Sequence, residues 1–247
     1  MHERLGHSKD CHCSDRRSFL LKFSAAATAF GGGMVPTKGT YADELTQQQR
    51  DSLTPQQIIE AMKNGNARFR SGERKDRNYL REQQASASGQ HPKAALLSCI
   101  DSRAPAEVIM DLGIGDIFNT RVAGNIGSAD ILGSLEFACK TAGTRVLLVM
   151  GHTSCGAIKG AIDNVELGNL TGILAKIKPA VQATSYAGER SAKNYDFVDA
   201  VARTNVGMTI ANIRKQSPVL VDLESSGAIK IAGAMYNLKT GAVEFLP

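Results

Sequence analysis

The stretch that most constrains the fold is Arg145-Val-Leu-Leu-Val-Met150, an apolar run with no polar alternation. A strand with one wet face alternates apolar and polar residues. A strand without alternation is covered on both faces, as in the centre of a parallel sheet with helices on either side. We expect a strand over 144–150, and shorter apolar runs place others at 93–99, 116–122, 219–222 and 229–236. Asn237-Leu-Lys-Thr-Gly241 reads as a turn into a last strand at 242–246. Helical patterns intervene at 131–142, 156–163, 170–184 and 196–215, with a short one from Pro105 to about 111. Strands alternating with helices make an α/β fold: a mainly parallel central sheet flanked by helices, closing in a C-terminal antiparallel hairpin.

Upstream, Thr54-Pro55 opens a helical arm over about 54–72. Threonine caps, proline suits the first helical position, and Ile58, Ile59, Met62 and Phe69 form one apolar stripe that Gly72 ends. Residues 43–53 are polar and expected to be loosely ordered, and 73–91 read as a charged connection.

The first 42 residues have a different texture. A polar head holding Cys11 and Cys13 leads to Ser14-Asp-Arg-Arg-Ser-Phe-Leu-Leu-Lys22, a weakly apolar run to Val35, and small residues ending at Ala42. Paired Arg16-Arg17 before a mild apolar run resembles a bacterial twin-arginine export signal. The run is too short and too rich in glycine for a spanning helix, which needs about 20 apolar residues. The expected mature chain is 43–247, one domain located in the periplasm and without stable membrane association. The head takes six Lys/Arg and three Asp/Glu, so the remainder carries 23 bases against 21 acids, a net charge of +2. A nucleic-acid partner therefore loses its compositional support.

Beyond the head only Cys99, Cys139 and Cys155 remain, with His91 and His152. Three cysteines make no even disulfide framework, and no Cys-x-x-Cys pair is present to act as a redox centre. Gly113-x-Gly115 opens like a dinucleotide loop, but Phe118 stands where the third glycine belongs. Cys99 ends one expected strand, His152 follows another, and Cys155 opens the next helix. Such folds gather ligands beyond the carboxyl ends of their strands. Two thiolates with one imidazole suit zinc, and three protein ligands leave the open position a catalytic site needs. Cys139 lies on the apolar face of a helix and reads as core.

Cys99-Ile-Asp101-Ser-Arg103, followed by His152-Thr-Ser-Cys155-Gly156, resembles the signature of the β-class carbonic anhydrases. The likeness extends to Arg121-Val-Ala-Gly-Asn125 and Glu136-Phe137. It implies one Zn2+ per subunit on Cys99, His152 and Cys155, and reversible hydration of carbon dioxide to bicarbonate and a proton. Asp101 is then either a fourth metal ligand or the partner of Arg103 and first proton acceptor. Gln90, Phe118 and Gly156 are the implied substrate-binding residues, Gln90 reaching substrate across a dimer interface. The resemblance also implies Ala123 and Phe137 as pocket lining, and a homodimer or higher even homo-oligomer. Two other readings share the fold: a carbon disulfide or carbonyl sulfide hydrolase, and a non-catalytic zinc-binding relative. The intact Asp101-x-Arg103 pair weighs against the second, because a structural zinc site takes four closed ligands.

Overall fold

The computed structural model describes residues 45–247; the expected export signal lies outside them. Five strands pair in the order β2-β1-β3-β4-β5. They are β1 (Ala94–Ser98), β2 (Ile117–Arg121), β3 (Val146–His152), β4 (Lys230–Tyr236) and β5 (Val243–Phe245). The first four run parallel and β5 returns antiparallel against β4, as the alternation of patterns predicts.

Every residue of β3 is buried, which is why its sequence shows no alternation. Its side chains divide by parity between two cores. Leu147 and Val149 join Ala95 and Leu97 against one helical layer, while Val146, Leu148 and Met150 join Ala94 and Leu96 against the other. The first layer holds α5 (Ala129–Glu136), α6 (Gly156–Ile162), α7 (Gly168–Ala183), α8 (Tyr195–Gln216) and α9 (Pro218–Ser225). The second is built from α2 (Pro55–Ser71) and the short α4 (Ala106–Ile109). Two further helices, α1 (Gln47–Ser52) and α3 (Tyr79–Ser86), flank α2 in the chain. No helix among the described residues is long and apolar enough to cross a membrane.

The expected arm is α2, with Thr54 as N-cap, Pro55 in the first position and Gly72 closing it at φ 78°. Three expectations fail, each to a local signal. Residues 43–53 include α1, because Thr46 and Gln49 form a reciprocal capping box. The connection at 73–91 contains α3, started by the Asn78 side chain on the amide of Arg81. The strand expected at 219–222 is instead α9. Val219 and Val221 favour extended chain, but Ser217 caps the amide of Leu220 and Pro218 takes the first helical position. Helix α5 also runs on as a single wider π turn over Phe137–Thr141, closed by the Ala142 amide on the Phe137 carbonyl at 2.9 Å.

One side chain joins the two ends of the fold. Asn66 of α2 donates to the carbonyls of Ile109 and Gly241 and accepts from the amide of Val243, at 2.8–2.9 Å. Beside it Gly65 faces Met110, whose carbonyl oxygen would lie 1.9 Å from a β-carbon added there. We expect Gly65→Ala to lower unfolding stability by about 1–3 kcal/mol, since backbone must move to admit the methyl. Gly207→Ala, on a face of α8 where an added β-carbon meets nothing within 4 Å, should raise it by about 0.4–1 kcal/mol. Urea denaturation of both variants checks the pair, and equal effects at the two positions would contradict the packing described.

Candidate metal centre

Adjacent parallel strands open their carboxyl ends on the same edge of a sheet. Ser98, the last residue of β1, pairs with Met150 of β3, so Cys99 emerges beside the end of β3. His152 is the last residue of β3 and Cys155 caps α6 three positions on. The ligand atoms of Cys99, His152 and Cys155 all lie within 4.8 Å of one another, and all three residues are buried.

The chemistry of each donor follows from its neighbours. His152 Nδ1 is 2.9 Å from the Thr153 carbonyl. A carbonyl only accepts, so Nδ1 carries the proton and the neutral ring keeps its lone pair on Nε2. That Nε2 is buried without a hydrogen-bond partner, the condition of a nitrogen waiting for a Lewis acid. The two Sγ atoms are 4.0 Å apart. Contact with Cys155 holds the Cys99 thiol down to about 4 against the opposing effect of burial, with help from the Gly124 amide. Cys155 is pushed up in turn, first by Cys99 and then by burial. The pair thus shares one proton, because two thiolates at this separation repel by about 4 kcal/mol at an effective dielectric near 20. A dication between them removes that penalty. Two thiolates and one imidazole nitrogen suit zinc and leave a fourth position open, so the residues present fit the metal.

Asp101 sits at the rim of the cluster, with Oδ2 3.7 Å from His152 Nε2. Both carboxylate oxygens are taken by Arg103: Oδ1 by its amide and Nε at 2.9 Å, Oδ2 by Nη2 at 2.8 Å. The hydrogen bonds from the Arg103 side chain hold the Asp101 carboxyl well below the usual carboxylate range. The Arg103 side chain is 57% exposed, so screening leaves geometry as the main product of the clamp. Of the two expected states of Asp101, paired or ligating, this is the paired one.

Residues with no role assigned from sequence complete the cradle. Arg121, the last residue of β2, donates to the carbonyls of Cys99 and Asp101 and so fixes the loop between them. Gly124 gives its amide to Cys99 Sγ at 3.4 Å, and its carbonyl accepts from the buried Asn205 of α8 at 2.8 Å. Its φ of 68° favours glycine, and an added β-carbon would meet Ile177 at 2.5 Å. The string Arg121-Val-Ala-Gly-Asn125 carried this signal, a cation and a glycine directly after a strand.

The expected substrate residues divide. Gly156 opens α6 beside Cys155 with free space around its Cα. Gln90 is exposed before β1, at the end of the strand opposite to Cys99. Phe118 pairs with Ala95 near that same far end and packs edge-on against Phe137. One chain therefore does not bring these two to its own metal cluster. Ala123 lies in the turn that carries Gly124, and Phe137 is exposed. Cys139 is buried apart from the cluster, accepting a hydrogen bond from the Thr144 hydroxyl, and burial pushes its thiol up. This is a core cysteine.

Comparison with known proteins agrees with this geometry. The family model described as carbonic anhydrase matches residues 94–243. Carbonic anhydrase 2 of Mycobacterium tuberculosis is 32% identical over 196 residues, covering 77% of this chain and 92% of that protein. The crystal structure of the β-carbonic anhydrase CafA of Aspergillus fumigatus superposes with a TM-score of 0.58 at 28% identity, over 66% of this chain and 79% of that one. One of two tetrameric β-carbonic anhydrases from Sordaria macrospora gives a TM-score of 0.57 at 24% identity, over 65% of this chain and 83% of that one. With two cysteines and a histidine gathered at the carboxyl edge of its parallel sheet, the chain belongs to the carbonic anhydrase family, in the β class.

Proposed function

We propose that Cys99, His152 and Cys155 hold the catalytic zinc of this carbonic anhydrase and that the Asp101–Arg103 pair works at the metal's open side. The reaction joins carbon dioxide and water and releases bicarbonate and a proton. The observation that carries the assignment is the buried, unpartnered Nε2 of His152 within 4.8 Å of two thiols. Zinc, when bound, polarises a water molecule so that it loses a proton near neutral pH.

The protein's own groups do the rest. Burial keeps bulk water from the three ligands. Asp101 Oδ2 faces the cluster and, held ionised, accepts a hydrogen bond from the reacting water, which orients a lone pair toward carbon dioxide. A carboxyl held so low keeps the product proton at Oδ2 only in passing, so Asp101 hands it on to solvent or buffer. Arg103 keeps the carboxylate facing this way and off the metal.

The substrate pocket is completed by a second copy of the chain. Gln90 and Phe118 sit at the far end of β1 and β2, which leaves them to serve a neighbour's metal. Strand β2 forms an edge of the described sheet, and the exposed side chains of Ile100, Val108 and Phe137 lie on the segments around it. The tetrameric Sordaria relatives lend support to an even homo-oligomer. For residues 1–42 the reading remains twin-arginine export to the periplasm, supported by Arg16-Arg17 before the weak apolar run. Export in the folded state would let thiolate ligands take up zinc in a reducing compartment first.

Three measurements test these readings. Cys155→Ala and His152→Ala should lose zinc and abolish carbon dioxide hydration, whereas Cys139→Ser should keep one zinc per chain. Zinc analysis with stopped-flow hydration decides, and the reverse pattern would overturn the ligand set. Arg103→Ala frees a carboxylate beside an open coordination position. Zinc should stay while hydration falls by about a hundred-fold or more. Asp101→Ala should keep part of its activity, most clearly at higher pH and high buffer concentration, and full turnover in Arg103→Ala would remove the clamp from the mechanism. Replacing Arg16 and Arg17 together by lysine should retain the precursor in the cytoplasm on fractionation; unchanged export would exclude the twin-arginine route.

A further inference from the structure

The two ligands His152 and Cys155 are joined by a turn that holds a strained residue. Ser154 adopts φ 55°, a left-handed conformation that a residue with a β-carbon rarely takes. Such a conformation persists only where its surroundings hold it, and it clusters at functional sites. Thr153 is tied to the sheet, its amide donating to the Tyr236 carbonyl at 2.9 Å and its hydroxyl accepting from the Leu238 amide at 3.0 Å. Ser154 is held from the other side. Its amide donates to Oδ1 of Asp199, 45 residues on in α8, at 2.7 Å. Arg203, one turn further along α8, is committed to Glu244 through two hydrogen bonds at 3.0 and 2.7 Å. Thr153, Asp199, Arg203 and Glu244 all border one cleft of about 440 Å³ behind the turn.

We infer that Asp199 is a positioning residue: its carboxylate pins the left-handed Ser154 amide and thereby sets the spacing at which His152 and Cys155 present their donors. The inference rests on the reading of Cys99, His152 and Cys155 as the zinc ligands. A charged acceptor on a single backbone amide is stronger than a neutral one, and it costs α8 nothing in helical hydrogen bonding. Asp199 hydrogen-bonds the Ser154 amide and not a ligand, so its effect on donor spacing passes through Ser154. Without the anchor the turn relaxes toward ordinary backbone angles, and the separation of the two donors becomes variable.

The test is zinc release from the full-length protein into excess chelator, followed by a chromophoric indicator, with the visible spectrum of the cobalt-substituted protein as a second readout. Loss of such an outer partner costs a metal site about 10- to 100-fold, so Asp199→Ala should release zinc at least about ten times faster and broaden the cobalt bands. Asp199→Asn, which keeps an acceptor oxygen, should stay within about threefold of wild type. Ser154→Gly in the Asp199→Ala background removes the strain and should recover most of the loss. Arg203→Ala, which disturbs the same cleft without touching Ser154, should release zinc at the wild-type rate. A folded Asp199→Ala that holds zinc like wild type overturns the inference, as does a release from Asp199→Asn as fast as from Asp199→Ala. Should Asp199→Ala fail to fold, the Ser154 amide of the wild-type chain decides: slow hydrogen exchange is expected, and exchange at the rate of an exposed amide overturns the assignment. Wild-type protein without zinc would instead remove the ligand reading beneath it, so the two failures are distinguishable.

Discussion

The pairing register of β1 against β3 is the constraint on which the metal centre depends. Ala94 stands opposite Val146 and Ser98 opposite Met150, and this alone delivers Cys99 to the end of the strand that finishes in His152. A slip of one residue would move Cys99 by about 3.3 Å along the sheet and exchange the inner and outer side chains of the whole strand. The register is secured from both sides at once. Leu97 and Val149 sink into one core while Leu96 and Leu148 sink into the other, so a slip of one residue would have to repack both cores at once. Precision at the site is thus inherited from packing many residues away.

Around that register the loops add short tethers. Arg121 reaches from β2 to two carbonyls of the Cys99–Asp101 loop, Gly124 meets Cys99 Sγ, and Asn205 secures Gly124 from α8. All three tethers bear on Cys99 and the loop that follows it. The site can hold two sulfurs at 4.0 Å, a separation they would not choose as anions, because the scaffold and not the thiols determines where they sit.

Much of this was legible in the sequence where the cause is local. Thr54, Pro55 and Gly72 bounded α2 because caps act within a turn of the chain. The unbroken apolar run of β3 announced a strand covered on both faces. Asp101 and Arg103 stand two residues apart, so their pairing could be anticipated from spacing, and Cys99 with His152-x-x-Cys155 resembled a known motif. What escaped was long-range or too finely balanced. Val219 and Val221 argued for a strand, and the capping serine with the following proline outweighed them. The contacts of Arg121 and Asn205 join residues 20 or more positions apart, and no periodicity reports those. That Gln90 and Phe118 stand at the amino ends of β1 and β2, away from their own chain's metal cluster, follows from strand direction and not from any local signal.

The bridge made by Asn66 bears on how the chain is built. Its amide group waits for partners at Gly241 and Val243, some 175 residues downstream. Chains emerge from the ribosome N-terminus first, at about 5–20 residues per second. The strands can join in nearly the order in which they are made, yet α2 cannot complete its seat until Gly241 and Val243 have emerged. For roughly ten to forty seconds at that rate Asn66 must satisfy these two hydrogen bonds with water. The first helix of the core to be synthesised is therefore among the last to be locked.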